Sequence, residues 1–391
     1  MKVLLIGHVD YTIDNAAQLR CLEVAKALMT LGHEVTVYDG LNFSIPVNTL
    51  KWSDVRFVHP EYPKGRIEAF VRRVGVGLAL FWQKISIEKF DVIYCYGSEL
   101  SWQIAGWRLA RRMGARLLVD ITELYGFEEM TTSFSKCRSL IGTWIGILGV
   151  TPLFADCIAV PSRRFARLMR RLHSNVFLLP PFFSRIDLEE EPDVPEDCSK
   201  NHFLRLVYAG SPGGKEQLFL IVQALALVPK RGGYAIQFDL AGLSQEETAS
   251  VIRAAGAQSL LQRSDILIRG LGRIQVERAR LLVSRADFLI VIRKQSRRVN
   301  FGFPSKVAES FSLGVPVISN CYSDIPRYVC SYHNGMLIKD DSAEALRDCL
   351  VNCQNLSKSN HLKMRQGARS TWQNFFSASA AAFTLNKMLQ A

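Results

Sequence analysis

The sequence predicts an α/β protein with two domains, and three observations support this prediction. The chain has 391 residues, of which 48% are hydrophobic. It is therefore longer than a chain that folds around a single core usually is, and it can bury two cores of ordinary size. In both halves, short runs rich in β-branched residues alternate with segments of helix length, as parallel strands and their crossover helices do. An acidic, proline-bearing stretch lies between the halves and is typical of a surface connection.

The first half is predicted to begin with a β-strand and to continue as alternating helices and strands over residues 1–183. The run from Lys2 to Ile6 is too short for a secretory signal and lacks a cleavage site, so we interpret it as the first strand. Apolar residues keep helical spacing from Gln18 to Leu31, and Gly32 is a usual helix stop. The other predicted strands are Glu34 to Tyr38, Val92 to Tyr96, Arg116 to Val119, Cys157 to Val160 and Val176 to Leu179.

The second half repeats this pattern over residues 203–370, after a linker predicted at 184–202. Its predicted strands are Arg205 to Ala209, Ile236 to Ala241, Ile266 to Arg269, Phe288 to Ile292 and Val315 to Ser319. Two comparable α/β halves joined by one linker suggest a ligand cleft between their facing strand ends, as in open α/β sheets generally.

The composition narrows the possible partners and compartments. A formal net charge of +12 favours an anionic partner, which could be a diphosphate ligand, an anionic bilayer or nucleic acid. Because basic residues are dispersed and no recognition module is visible, nucleic acid is not expected. Nine cysteines without a Cys-x-x-Cys pair favour free thiols in a reducing compartment, so we expect a cytoplasmic protein. The most apolar stretch, Leu140 to Phe154, is too short and too rich in glycine to span a membrane.

The most informative segment runs from Asn300 to Ser319 and is predicted as a loop, helix, turn and strand. Pro304 suits a helix start because its missing N–H is not needed there. The N–H groups of the next residues, beginning with Ser305, then point at any docked anion, and Lys306 adds positive charge. Glu309 lies one turn further on, where a carboxylate can accept hydrogen bonds from a ribose diol. An ordinary helix with a glycine stop is the simpler interpretation of the same residues.

This segment resembles the donor-site signature of GT-B glycosyltransferases of family 4, in the variant Gly-x-Pro-Ser-Lys-x-x-Glu followed by Gly-x-Pro-Val-Ile. The resemblance implies a GT-B fold, in which two Rossmann-like domains face each other across a cleft and a C-terminal helix, here within 371–391, crosses back to the first domain. It also implies that Glu309 binds the ribose of a nucleotide, and that the loop from Gly302 to Lys306 lies beside the diphosphate. The commoner pattern has a second glutamate, contacting the transferred sugar, where this chain has Phe301.

A glycine-rich loop at the start of the second domain resembles the family's loop that faces the donor phosphates. It contains Gly210, Gly214 and Lys215, and Lys215 matches the lysine of the family. Ser211 stands where an arginine is usual, so part of the expected charge must come from elsewhere, and Arg293 with the basic residues after it is a candidate. A tight βα turn without a ligand is an equally simple interpretation, because a lone glycine loop is weak evidence.

Candidate residues in the first domain follow two of its predicted strands. His8 and Asn15 lie in the loop after the first strand, where related enzymes place an acceptor-side loop. Asp120 and Glu123 lie at a strand end, in a stretch that resembles one found in polysaccharide-building members, and they are the candidate catalytic carboxylates. The alternatives are a loop histidine without a ligand at His8, and a carboxylate that caps the following helix at Asp120 or Glu123.

These features and the resemblance predict a hexosyltransferase that moves a hexose-type sugar from a nucleotide-diphosphate donor to a glycan or lipid-linked acceptor, in cell-surface polysaccharide synthesis. The resemblance implies a retaining transfer without metal or other cofactor, and the sequence shows no Asp-x-Asp pair on a loop that would hold a divalent ion. A catalytically inactive GT-B-like binding protein is one alternative, because of Phe301 and Ser211. A nucleotide-binding oxidoreductase is a weaker alternative, since no Gly-x-Gly-x-x-Gly follows the first strand.

A basic segment of the first domain predicts membrane contact. Its arginines are interleaved with apolar residues, a pattern that suits an anionic bilayer surface. They are Arg163, Arg164, Arg167, Arg170 and Arg171. The pattern predicts peripheral association at the inner face of the membrane, with a solvated helix face over a core as the alternative.

Overall fold

A computed structural model describes residues 1–11, 15–39, 55–58, 89–126, 134–186, 204–210, 212–230 and 236–391. The chain divides into two compact units. The first comprises Met1–Phe182, Asn300–Phe303 and Ala378–Ala391, and the second comprises Phe183–Val299 and Pro304–Ser377. Ser211 and residues 187–202 of the predicted linker lie outside the described residues.

The first unit contains a sheet of parallel strands in the order β3-β2-β1-β4-β5-β6-β7. Val3 and Leu5 enter the core on one face of β1, while Leu4 and Ile6 enter a second core on the other face. This two-sided burial explains the nearly continuous apolar sequence of the strand. The strands are β1 (Lys2–Gly7), β2 (Glu34–Tyr38), β3 (Arg56–Val58), β4 (Val92–Tyr96), β5 (Arg116–Asp120), β6 (Cys157–Val160) and β7 (Val176–Leu178).

Helices alternate with these strands. Asn15 caps the first helix, since its side chain accepts a hydrogen bond from the backbone N–H of Gln18. A π-helical turn at Gly146–Val150 joins the third helix to the fourth. The helices are α1 (Ala16–Thr30), α2 (Leu100–Met113), α3 (Phe134–Ile145), α4 (Thr151–Phe154) and α5 (Arg163–Met169).

The second unit contains a parallel sheet in the order β10-β9-β8-β11-β12-β13. Both sheets therefore have the strand order of a Rossmann-like fold, the first with an added edge strand. The strands are β8 (Leu204–Ala209), β9 (Ile236–Ala241), β10 (Ile266–Gly272), β11 (Phe288–Val291), β12 (Val317–Ser319) and β13 (Gly335–Leu337). The α-helices from here on are α6 (Leu218–Leu227), α7 (Gln245–Ala254), α8 (Val276–Ser284), α9 (Arg297–Phe301), α10 (Ser305–Ser312), α11 (Ile325–Tyr328), α12 (Ala343–Gln354), α13 (Lys358–Thr371) and α14 (Ala378–Gln390).

The predicted α/β class with two Rossmann-like sheets is confirmed, and each predicted strand corresponds to an observed one. The short strands β3 and β13 were not predicted. The strand predicted from Val315 begins at Val317 instead. Pro316, just before it, has no N–H to give to a strand ladder, although its carbonyl accepts a hydrogen bond from Leu289.

The C-terminal segment predicted at 371–391 is shared between the units. Its first part, a π-helical turn at Trp372–Phe376, belongs to the second unit, where Phe376 packs against Tyr328 with ring centroids 4.8 Å apart. Helix α14 belongs to the first unit, and its Leu385 and Met388 are buried in the same core as Val24 of α1. The segment that joins the first unit therefore begins at Ala378.

Candidate functional site

Strand order in the second unit reverses between β8 and β11. In open α/β sheets, ligands bind outside the carboxyl ends of the strands at such a point. Gly210 directly follows β8, and Arg293 lies in the loop after β11. The two loops are joined by backbone hydrogen bonds, from Lys294 N–H to the Lys215 carbonyl at 2.9 Å and from Gln217 N–H to the carbonyl before Arg293 at 3.0 Å. The fold thus brings together the two loops that the sequence singled out.

Glycine at position 210 is favoured by its backbone conformation, and it also leaves space for a neighbouring side chain. Its φ angle is +136°, which side-chain-bearing residues rarely adopt. A Cβ atom at this position would meet the Cε and Nζ atoms of Lys306. The glycine therefore makes room for a lysine of the same site. Gly214, by contrast, is exposed, and a Cβ atom there would meet nothing within 4 Å.

Lys306 lies in the first turn of α10, and its side chain is only 20% exposed. Its Nζ atom is 5.1 Å from the centroid of the Tyr208 ring, a distance at which a cation and an aromatic face attract each other. Burial lowers the pKa of the Lys306 ammonium to about 8, and repulsion from Arg293 adds to this effect. Glu216 acts in the opposite direction and favours the charged form.

The backbone of Arg293 is held by the side chain of Asn320, and the Arg293 side chain is largely buried. Its N–H donates to Oδ1 of Asn320 at 3.0 Å, and Nδ2 of Asn320 donates to the Arg293 carbonyl at 2.8 Å. The side chain is 9% exposed, and its Nε atom has no hydrogen-bond partner among the described residues. A buried guanidinium with an unsatisfied N–H is costly, so Arg293 is prepared to receive an anion.

Glu216 lies between these cations and was not identified from the sequence. Its side chain is 3% exposed. One carboxylate oxygen, Oε2, accepts a hydrogen bond from the N–H of Gly213 at 2.9 Å. The other, Oε1, is 3.5 Å from Nη2 of Arg293 and 3.9 Å from Nζ of Lys306. One acidic residue therefore links the glycine loop to both cations.

Glu309 lies one helical turn after Lys306, as the sequence predicted. Its Oε1 atom accepts a hydrogen bond of 2.8 Å from Nε of Arg280, which lies on α8. The two side chains are 25% and 20% exposed, so the carboxylate is held in one orientation and still accessible. Arg280 was not predicted, because it comes from a helix with no recognisable motif.

The residues at the start of α10 and those just before it belong to different units. Pro304 is the N-cap residue of α10, and Ser305 begins the helix and is half-buried. Gly302 and Phe301 fall in the short segment that belongs to the first unit. There, Phe301 packs edge-on against Phe165 at 5.6 Å, and its carbonyl accepts a hydrogen bond from Ser162. Phe301 thus has a packing role at the position where the family pattern has a sugar-binding glutamate.

Asp120, a predicted catalytic residue, is fully buried in the first unit. Its Oδ2 atom accepts hydrogen bonds from Nε of Arg20 at 2.9 Å and from the Tyr94 hydroxyl at 2.8 Å. Arg20 donates further to the carbonyls of Leu179 and Pro180. A carboxylate with no solvent exposure and two buried donors is positioned to stabilise the core, so this geometry favours a structural role.

The other candidates of the first unit lie near its surface or serve as caps. His8 is about half exposed, and its Nδ1 atom is 3.4 Å from Oε2 of Glu99. Asn15 uses its side chain to cap α1, which explains its residue type without a ligand. Glu123 is half-buried just after β5. Across the described residues, no group of three His, Cys, Asp or Glu side chains is arranged to hold a metal ion.

Several solved structures share the fold of the whole chain. Sucrose-phosphate synthase from Thermosynechococcus elongatus is 16% identical with a TM-score of 0.71, and the match covers 100% of this chain and 98% of that one. HepE of Anabaena, solved with UDP and glucose, is 13% identical with a TM-score of 0.69 and coverage of 100% and 99%. WaaG, a glycosyltransferase involved in lipopolysaccharide biosynthesis, is 13% identical with a TM-score of 0.63 and coverage of 99% of both chains. No curated protein matches the chain by sequence.

The family comparison falls on the unit that contains the cation cluster. Residues 204–355 match the family model described as glycosyl transferases group 1. The chain has the GT-B fold, and its second unit resembles the glycosyl transferases of this family. The family match includes the glycine loop, Arg293 and the start of α10, so the residues that the sequence predicted for a donor site lie within it.

Proposed function

We propose that the protein is a glycosyltransferase that takes a hexose-type sugar from a nucleoside diphosphate, which binds at the carboxyl end of the second sheet. The observation that carries the proposal is the convergence of Lys215, Arg293 and Lys306, which come from three separate segments. Glu216 is in contact with both Arg293 and Lys306, and two cations that face one carboxylate leave an excess of positive charge. A diphosphate has the charge that such a cluster would bind.

Two further observations support a nucleotide sugar as the donor. The HepE structures with the same fold contain UDP, UDP with glucose, or UDP-glucose. In this chain, Glu309 lies beside the cation cluster and presents an oriented carboxylate. A carboxylate accepts hydrogen bonds from a vicinal diol, so we assign the ribose of the donor to Glu309.

In the proposed reaction, the leaving group is a nucleoside diphosphate whose negative charge grows as the glycosidic bond to it breaks. Lys306, Arg293 and Lys215 would stabilise this charge from fixed positions, without the reorganisation that water would need. These cations supply the electrostatic stabilisation that a divalent metal ion supplies in other enzymes, so we propose a transfer that needs no metal. Retention of configuration is proposed from the resemblance to family 4.

For the acceptor, we propose a glycan or a lipid-linked glycan in cell-surface polysaccharide synthesis. WaaG, which shares the fold, is involved in lipopolysaccharide biosynthesis. Phe301 and its packing against Phe165 favour a second candidate, a GT-B-like protein that binds nucleotide sugars without transferring them, because the usual sugar-binding glutamate is absent. The two candidates differ in whether bound donor is consumed.

A donor screen tests the proposal directly. The protein would be incubated with a panel of nucleotide sugars, with glycan acceptors and with EDTA, while release of nucleoside diphosphate is measured. We expect release from one class of nucleotide hexose, and we expect EDTA to leave its rate unchanged because the cations already stabilise the leaving group. Activity that disappears in EDTA and returns with magnesium or manganese would contradict the metal-free proposal. Tight binding without release would favour the inactive binding protein.

An apolar surface with a basic neighbour supports peripheral membrane contact by the first unit. Along α3, the π-turn and α4, the exposed apolar side chains include Ile145 at 50% and Leu153 at 75% exposure, with Ile141 and Leu148 beside them in sequence. Within this unit, Phe154 of α4 contacts Trp107, whose ring lies near the Arg111 guanidinium. No helix in the described part of the chain is long and apolar enough to cross a bilayer.

Most of the apolar residues between the arginines of α5 are buried, which corrects part of the prediction. Arg163, Arg164 and Arg167 are exposed, whereas Phe165 and Met169 are fully buried in the core. Phe165 and Met169 therefore stabilise the fold and are not accessible to lipid, whereas Leu172, after the helix, is 45% exposed. We propose that the exposed surface of α3 and α4 contacts the bilayer and that the arginines add electrostatic attraction.

We expect reversible, salt-sensitive binding to anionic liposomes. Replacing Arg167, Arg170 and Arg171 together with glutamate should weaken binding strongly at low salt, since each basic residue near an anionic surface contributes about 1 kcal/mol. Leu153→Ser should weaken binding at all salt concentrations, because it removes an apolar contact. The control is Leu227→Ser, which changes an exposed leucine of the second unit. Flotation with anionic and neutral lipid at rising salt measures both effects. Indifference to lipid charge would instead favour an acceptor in solution.

A further inference from the structure

We propose that Glu216 is a positioning residue for the donor diphosphate: its carboxylate holds the glycine loop, Arg293 and Lys306 in one arrangement. This inference rests on the proposed donor site and names the residue that organises it. None of the three groups is adjacent to another in sequence, so their relative position depends on contacts such as those of Glu216. Its role differs from that of a ligand, because a carboxylate would repel the phosphates.

The geometry of the Glu216 carboxylate supports this role. Oε2 accepts a hydrogen bond from the N–H of Gly213, which fixes the conformation of an otherwise exposed loop. Oε1 faces Nη2 of Arg293 at 3.5 Å and Nζ of Lys306 at 3.9 Å. The backbone of Glu216 also pairs with that of Arg293 in an isolated antiparallel bridge. Loss of the carboxylate would therefore release three contacts and leave the backbone pairing in place.

The burial of Glu216 strengthens the attraction between its carboxylate and the two neighbouring cations. At 3% exposure the carboxylate is largely shielded from water, and charges interact more strongly in such surroundings than at the surface. Without Glu216, the buried Arg293 and Lys306 would repel each other with no negative charge between them. Their side chains would then separate, or Lys306 would lose its proton.

The ionisation of Lys306 gives a measurable consequence. The groups that act on its ammonium are Arg293 and Lys215, which disfavour the charged form, and Glu216 and Glu309, which favour it. An opposite charge within about 4 to 6 Å shifts a pKa by roughly 1 to 3 units. Because Glu216 raises the pKa of Lys306, its removal must lower it. We therefore expect Glu216→Gln to move the Lys306 titration at least about one pH unit below its value of about 8.

The experiment combines a titration of the ligand-free protein with binding of inorganic pyrophosphate. Lysine side chains of the full chain are labelled with carbon-13 at Cε, and the Lys306 signal is assigned from its absence in Lys306→Arg. The pH titration is then compared among the unaltered protein, Glu216→Gln, Glu216→Asp and Glu344→Gln. Glu344 is an exposed acid at the start of α12 and serves as the control, while Glu216→Asp retains the negative charge. Thermal unfolding of each variant verifies the fold.

We expect the Lys306 midpoint to fall in Glu216→Gln, to stay closer to the original in Glu216→Asp, and to remain unchanged in Glu344→Gln. Pyrophosphate should bind Glu216→Gln more weakly, by up to about tenfold well above pH 8 for a one-unit fall in the Lys306 pKa, with the difference shrinking to about twofold at pH 7 as Lys306 regains its proton. An unchanged Lys306 midpoint, or an affinity loss that is the same at every pH, would overturn the role assigned to Glu216. Failure of the unaltered protein to bind pyrophosphate, with the midpoint shift still present, would contradict the proposed donor site itself.

Discussion

Replacing Glu309 with alanine is expected to weaken the binding of the proposed nucleoside diphosphate, with UDP as the probe, by about 1.5 to 3 kcal/mol, or roughly 10- to 150-fold. The carboxylate is 25% exposed and is oriented by a 2.8 Å hydrogen bond from Arg280, so it is prepared to accept hydrogen bonds from ribose hydroxyls. Its removal would also leave the Arg280 guanidinium without this contact. Calorimetric titration of UDP against both proteins measures the loss, and thermal unfolding checks that the fold is retained.

A deoxygenated ligand makes this test specific for ribose. The unaltered protein should bind UDP more tightly than 2′,3′-dideoxy-UDP, and Glu309→Ala should lose most of this preference because the interaction that distinguishes the two ligands is gone. Glu344→Ala is the matched control, since Glu344 is an exposed acid on a different helix of the same unit. Equal affinity of the unaltered and Glu309→Ala proteins for UDP would remove Glu309 from the donor site.

The positions of the residues in the proposed donor site could be predicted from the sequence because they lie in short continuous segments. Lys306 and Glu309 are one helical turn apart on α10, and Gly210 follows a recognisable strand. Their spacing fixes their relative position before any tertiary structure is known. The structure adds the reason for Gly210, which leaves room for the Lys306 side chain.

The residues that sequence analysis missed act across distant segments. Glu216 faces Arg293 from another loop, and Arg280 faces Glu309 from another helix. Each is an ordinary charged residue in a helix or loop, and its importance comes from a contact that only the tertiary fold creates. The strand order around β8 and β11 is the signal that could have indicated Glu216, since it follows the predicted lysine in a loop at the reversal point.

The burial of Asp120 in the first unit could not be predicted from the sequence. Asp120 stands at the carboxyl end of a strand, where catalytic carboxylates are common, and its sequence environment does not reveal whether it is buried. Its partner, Arg20, lies on α1, one hundred residues earlier. A strand-end acid therefore predicts a location in the sheet, whereas its chemical role depends on the side chains that the fold places around it.

Replacing Asp120 with alanine is expected to destabilise the first unit by about 3 to 5 kcal/mol. The side chain is fully buried, and its loss would leave the Arg20 guanidinium, only 6% exposed, without its charged partner. It would also remove the acceptor of the Tyr94 hydroxyl. Urea unfolding followed by tryptophan fluorescence measures the effect, since Trp102, Trp107 and Trp144 all lie in this unit.

A double replacement separates stability from catalysis. Substituting Asp120 with leucine and Arg20 with methionine removes both charges, and apolar replacement of a buried ion pair is often neutral or stabilising. We therefore expect this double variant to regain most of the stability lost in Asp120→Ala and to release nucleoside diphosphate in the donor screen at close to the original rate. If the double variant is as stable as the unaltered protein but transfers no sugar, Asp120 or its pair with Arg20 is needed for catalysis.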